Sequence, residues 1–109
     1  MSDKIIHLKS MVAHDELIAN NPDKVIVIDF HATWCGPCHQ IAPKYEALAN
    51  SVQECIFTKV DVDEAEDIAR HYKISAMPTF KVIQSGEEID SVRGANPQAL
   101  ETMLLKYKA

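Results

Sequence analysis

The chain has 109 residues, of which 47% are hydrophobic and 25% charged, with 16 acidic against 11 basic residues and a net charge of −5. That length suits one domain, spanning residues 1–109 and built round one core, and the composition is globular rather than disordered or fibrous. No cluster of Lys and Arg appears, which argues against nucleic acid and against an anionic membrane surface as partners.

Taken in order, residues 4–9 predict a short strand, and Ser10 caps a modest helix running to about Ala19. Asn20-Asn21-Pro22-Asp23 is a turn. Val25 to Phe30 is an almost unbroken apolar run rich in β-branched residues, the pattern of a central strand covered on both faces. From Gly36 to about Asn50, Ile41, Tyr45, Leu48 and Ala49 recur at helical spacing. Pro37 is harmless in the first turn of that helix, whereas Pro43 falls inside it and predicts a kink.

Ile56 to Val62 predicts another strand, and Ala65, Ile68, Ala69 and Tyr72 a one-sided helix. Phe80–Gln84 and Ile89–Arg93 predict two strands joined at Ser85-Gly86 as a hairpin. Asn96-Pro97 opens the last helix, a capping residue followed by proline at the first helical position. Leu100, Met103, Leu104 and Tyr107 give that helix its apolar face. The order β-α-β-α-β-α-β-β-α belongs to the α/β class: parallel strands linked by helical crossovers, an antiparallel hairpin at the edge, and helices on both faces of one sheet.

The first residues, Met1 to His7, show no apolar stretch of signal-peptide length behind a basic region. No apolar run approaches the roughly 20 residues that span a bilayer. The expectation is a cytoplasmic protein. The three cysteines, an odd number in a reducing compartment, then point to catalytic or inert thiols rather than a structural disulfide framework.

Trp34-Cys35-Gly36-Pro37-Cys38 follows the central strand and opens a helix. A helix N-terminus presents free N–H donors and about half a unit of positive charge, which favours an anion. A cysteine placed there has its thiolate stabilised, and the thiolate is the species that attacks a disulfide. Cys38, one turn further on, is within reach of Cys35. Three alternatives stand beside this redox reading. The pair is inert packing; or it belongs to a zinc site, although Cys55 and scattered histidines supply no second pair of ligands; or Cys35-x-x-Cys38-His39 is a c-type haem attachment run, which it matches literally. The expectation is that no metal is bound.

Asp29 interrupts the apolar strand on the face shared by Val25 and Val27. Buried without a partner, a carboxylate is costly and its pKa rises. Asp29 is either the solvated end of the strand or a proton acceptor and donor for a buried thiol nearby.

With Asp29-Phe30 and Ala32-Thr33-Trp34-Cys35-Gly36-Pro37-Cys38 in place, the chain resembles the thioredoxin family over essentially its whole length. Pro43 matches the family's helix-interior proline, Lys59 in Lys59-Val60-Asp61-Val62-Asp63 the lysine of the third strand, and Met77-Pro78-Thr79-Phe80 the cis-proline loop. Gly86 matches the hairpin glycine and Gly94-Ala95 the glycine loop. The resemblance implies the thioredoxin fold, a central mixed five-stranded sheet with four helices on both faces. It implies a general protein-disulfide reductase in which Cys35 is the exposed nucleophile and Cys38 resolves the mixed disulfide, the two forming the redox disulfide. Asp29 would take the proton of Cys38 through water, with Lys59 tuning it. Trp34, Gly36, Pro37, Ala76, Met77, Pro78, Gly94 and Ala95 would form the substrate-docking surface. The resemblance further implies a monomer that holds no cofactor and is reduced by a flavin-containing thioredoxin reductase using NADPH. Its substrates would be disulfide-containing proteins such as peroxiredoxins or reductases.

The chain departs from the family pattern at His31 and at His39, where other residues are common. His31 is either a perturber of the site near neutral pH or a partly exposed loop residue. Cys55 reads as a small core or edge residue, or else as a regulatory thiol. Two further functions compete: an oxidase or isomerase of the same fold, against which Gly36-Pro37 speaks, and a binding subunit that works without turnover.

Overall fold

The computed structural model describes residues 4–108. Strands β1 (Ile6–His7), β2 (Val25–His31), β3 (Cys55–Asp61), β4 (Thr79–Gln84) and β5 (Glu87–Arg93) form one sheet in the order β1-β3-β2-β4-β5. Helices α1 (Met11–Asn20), α2 (Gly36–Ser51), α3 (Glu66–His71) and α4 (Pro97–Leu105) occupy the connections. β3 runs parallel to both β1 and β2, while β4 is antiparallel to β2 and β5 to β4. The element order and mixed sheet expected from the sequence are therefore the ones the chain adopts.

β2 alternates its side chains between two separate cores, as the period of a strand demands. Val27 joins Tyr45, Leu48, Phe57, Phe80, Leu100 and Leu104 on the face covered by α2 and α4. Ile26, Ile28 and Phe30 join Leu8, Val60 and Ile68 on the opposite face, packed by α1 and α3. A strand buried on both faces has no room for a solvated side, which explains the unbroken apolar run. Asp29 falls on the α2 face of this strand and is 2% exposed; it is not a solvated strand end.

Local signals set the ends of several elements. The Ser10 hydroxyl accepts from the Ala13 N–H, and the Asn96 side chain accepts from the Gln98 and Ala99 N–H groups. Ser85 (φ 54°) and Gly86 (φ 81°) both take positive φ between the paired residues Gln84 and Glu87. That is the two-residue turn whose twist suits a hairpin.

Some boundaries differ from expectation. β1 covers only Ile6–His7, because the edge strand pairs with β3 there and then leaves the sheet after Leu8 N–H donates to the Lys59 carbonyl at 2.9 Å. α3 is shorter than its apolar stripe: Ala65 and Tyr72 cap it from outside. α2 runs unbroken past Pro43 to Ser51, with the proline on its exposed side. His14, on α1, is buried at 3% exposure. Its Nδ1 pairs with Asp15 and its Nε2 with the Tyr72 hydroxyl, so Tyr72 is a polar partner as well as a packing residue.

Candidate active site

The site lies where β2 ends and α2 begins, at the carboxyl edge of the parallel pair β2–β3. Cys35 is the N-cap of α2, and its Sγ accepts the Cys38 N–H at 3.2 Å. Pro37 stands in the first turn, where its missing N–H leaves no bond unmade. The positive end of the α2 dipole and a donated N–H thus converge on the Cys35 sulfur. Cys35 and Cys38 are joined as a disulfide with Cα atoms 5.3 Å apart.

The expectation of an exposed Cys35 needs correction for this oxidised form. Cys35 is 5% and Cys38 6% exposed, because Ala32, Val62 and Met77 pack around the pair. Trp34, Gly36 and Pro37, the chain neighbours of the two cysteines, are exposed. A Cβ on Gly36 would meet nothing within 4 Å, so the flank beside Cys35 is open.

The second wall comes from distant segments. The Met77–Pro78 peptide bond is cis; Pro78 is buried while Ala76 and Met77 are half-buried. The Thr79 hydroxyl donates to the Ala76 carbonyl at 2.7 Å, which braces the loop. Gly94 N–H donates to the Pro78 carbonyl at 2.8 Å, and the φ of 98° at Gly94 is one that a side chain opposes. Gly94 is thereby tied to the proline loop, whereas Ala95 packs against the α2–α4 core.

Behind the disulfide, Asp29, His31, Cys38, His39 and Lys59 line a pocket of about 120 Å³. Lys59 stands opposite Asp29 in the β2–β3 register. Burial pushes the Asp29 carboxyl from 3.8 up to about 7, against the opposing pull of the Lys59 ammonium. Its Oδ1 has no hydrogen-bond partner in the protein. His31 is the last residue of β2 and half-buried, not a loop residue. Burial, then the Lys59 charge, lower its pKa below the ordinary 6.5. The His39 ring is exposed and its Nε2 pairs with the Thr33 carbonyl at 2.8 Å.

Trp34 is 67% exposed, and its indole N–H donates to Asp63 Oδ2 at 2.8 Å. From there a groove of about 740 Å³ runs past Val62 and Met77 towards Arg70 and Ile74. Sequence reasoning missed Val62 and Asp63. The available signal was an exposed indole beside a conspicuous strand end, since an indole donor seeks an acceptor.

Cys55 lies apart, buried in the α2–α4 core, and burial pushes its thiol up to about 11. Among the described residues no three His, Cys, Asp or Glu side chains gather as a metal site, and no helix is long and apolar enough to cross a membrane.

A disulfide-forming pair at the start of a helix, with one sulfur receiving the helix's own N–H and a cis-proline loop alongside, makes this chain a thiol–disulfide oxidoreductase. The Thioredoxin family model matches residues 5–106. Thioredoxin of Ictalurus punctatus is 42% identical over 95% of this chain and 99% of its own. The Fasciola hepatica thioredoxin structure is 44% identical, covering 95% of this chain and all of that one with a TM-score of 0.91. A yeast structure concerning the thiol resolving mechanism of mitochondrial 1-Cys peroxiredoxin via glutathione/thioredoxin systems is 38% identical, covers 94% of each chain and has a TM-score of 0.86. The chain belongs to the thioredoxin family. Membership decides among the open readings of Cys35-x-x-Cys38-His39 in favour of disulfide exchange.

Proposed function

We propose that the protein is a general protein-disulfide reductase of the cytoplasm, acting as a monomer on many disulfide-containing proteins. The observation that carries this reading is the Cys38 N–H donated to Cys35 Sγ at the α2 N-terminus. That bond and the helix dipole favour the thiolate on Cys35 over the thiol.

In the reduced protein, Cys35 thiolate attacks one sulfur of the substrate disulfide. The substrate's other sulfur leaves as a thiolate, which takes a proton from water, and Cys35 becomes linked to the substrate. Cys38 then gives its proton to the Asp29 carboxylate through water, and its thiolate attacks Cys35 Sγ. The Cys35–Cys38 disulfide forms as the second substrate sulfur departs as a thiolate and takes a proton from water. Two electrons have passed from the cysteine pair to the substrate.

Asp29 suits this role because a carboxyl titrating near 7 both accepts and releases a proton at neutral pH, while Lys59 holds it from rising further. Trp34, Gly36, Pro37, Ala76, Met77, Pro78, Gly94 and Ala95 flank the sulfurs and receive the substrate's extended segment, with Met77 offering its backbone. Electrons return from NADPH through a separate flavin-containing thioredoxin reductase, and no cofactor is bound. Peroxiredoxins and reductases are fitting substrates; the related yeast structure concerns one such peroxiredoxin.

The test is turnover of an insulin-type disulfide with dithiothreitol as electron source, together with trapping. Cys35→Ser abolishes turnover and Cys38→Ser accumulates a mixed disulfide through Cys35. A mixed disulfide formed through Cys38 in the Cys35→Ser protein reverses the roles.

A further inference from the structure

Among the described residues, the buried side-chain polar atoms without a hydrogen-bond partner are Asp29 Oδ1 and His31 Nε2. Both residues line the pocket behind Cys38. They are two apart on β2, so their side chains leave the same face of the strand. A volume of about 120 Å³ has room for a few waters at about 30 Å³ each, and buried water is held where otherwise unsatisfied polar groups meet it. We propose that His31 is a second proton carrier, which relays the proton of Cys38 from Asp29 through pocket water to bulk solvent. The proposal rests on the reading of Asp29 as the acceptor of that proton.

The reason a second carrier is needed lies in burial. Asp29 is 2% exposed, so a proton received from Cys38 leaves by way of the pocket that Asp29 and His31 both line. The Lys59 ammonium offers donors and no acceptor. His39 stands at the outer rim with its Nε2 turned to the Thr33 carbonyl. His31 lines the same pocket as the carboxyl, is half-buried, and its Nε2 is a buried ring nitrogen without a hydrogen-bond partner among the described residues.

The charges facing His31 come from every side. Lys59 and Asp61 act from β3, His7 from β1 and His39 from α2; Lys59 and both histidines lower its proton affinity and Asp61 raises it. The net lowering, led by burial, leaves a neutral ring at neutral pH that accepts a proton and then yields it readily. In balance, Cys38 S–H becomes thiolate, Asp29 becomes the acid, His31 becomes imidazolium as Asp29 returns to carboxylate, and water outside takes the proton. The electrons move only between sulfurs, as before.

Ellman's reagent separates the two chemical steps on the reduced full chain. Attack by Cys35 releases one thionitrobenzoate and resolution by Cys38 the second. His31→Gln and His31→Asn leave the first release unchanged and slow the second by about threefold to tenfold between about pH 6 and 8, less than the hundredfold or more typical of a group acting directly. Added imidazole restores the rate. Asp29→Asn slows the second release on its own, and adding His31→Gln slows it no further. If the second release in both His31 variants follows wild type at every pH while Asp29→Asn is slow, His31 carries no proton and the proposal fails alone. A slowing that ignores pH and imidazole likewise makes His31 merely structural. If Asp29→Asn resolves at the wild-type rate, the Asp29 role falls and this proposal with it.

Discussion

Asp29 and Lys59 face each other across the two parallel central strands, as direct register partners on the same side of the sheet. The pair is unequal: Asp29 is buried while Lys59 keeps part of its surface in water. Desolvation therefore outweighs the attraction of the ammonium, and the carboxyl rises to about 7. A carboxyl so placed exchanges its proton near neutral pH and lines the same pocket as Cys38.

This placement has a measurable stability consequence. With a folded pKa of about 7 and an ordinary value of 3.8, the folded state keeps the Asp29 proton longer than the unfolded chain does. Stability is therefore unaffected below the ordinary value, falls as pH rises through the interval, and levels off above about 7. At about 1.4 kcal/mol per pKa unit, the full loss is about 4 kcal/mol. Asp29→Asn removes it, so the variant's stability relative to wild type grows between pH 4 and 8 in urea-unfolding series on the oxidised proteins. A difference that stays constant across that range contradicts the raised pKa.

Trp34 should matter to substrate and little to the fold. Its ring is 67% exposed, so Trp34→Ala changes stability by no more than about 0.5 kcal/mol. Loss of the docking face raises KM for an insulin-type substrate severalfold with a smaller effect on kcat. Trp34→Phe, which keeps a ring but loses the N–H bond to Asp63, falls between. Steady-state kinetics decide it, and an unchanged KM in Trp34→Ala removes the indole from the docking surface.

Cys55 behaves as a packing residue. A thiol pushed from 9.0 up to about 11 carries about a hundredfold less thiolate at neutral pH than an ordinary one. In the native oxidised protein Cys55 stays unmodified while a small free thiol is fully alkylated, and it reacts once the chain is unfolded. Cys55→Ala keeps wild-type reductase turnover. Mass spectrometry after iodoacetamide checks the first statement; rapid native labelling restores a regulatory reading.

Much of the fold was legible because its signals are local. Caps at Ser10 and Asn96, the positive-φ turn at Ser85-Gly86 and the apolar run of β2 each act over a few residues. The least legible were elements whose ends depend on a neighbour. β1 stops where its pairing with β3 stops, and α3 ends at Tyr72 because Lys73, with a φ of 56°, leaves the helical region. His14 itself gave no sequence warning, since a histidine among apolar helical positions reads the same whether exposed or buried.

By itself the sequence determined that a cysteine pair caps a helix straight after a buried strand, and that a carboxyl lies within that strand. Chain neighbours and periodicity suffice for both. Only the tertiary structure decided what meets those groups: Lys59 opposite Asp29, Met77 and cis-Pro78 beside the sulfurs, Asp63 on the Trp34 indole, and His31 on the Asp29 pocket. Each depends on the pairing of strands and loops far apart in the chain, which side-chain burial sets collectively and no short stretch of residues encodes alone.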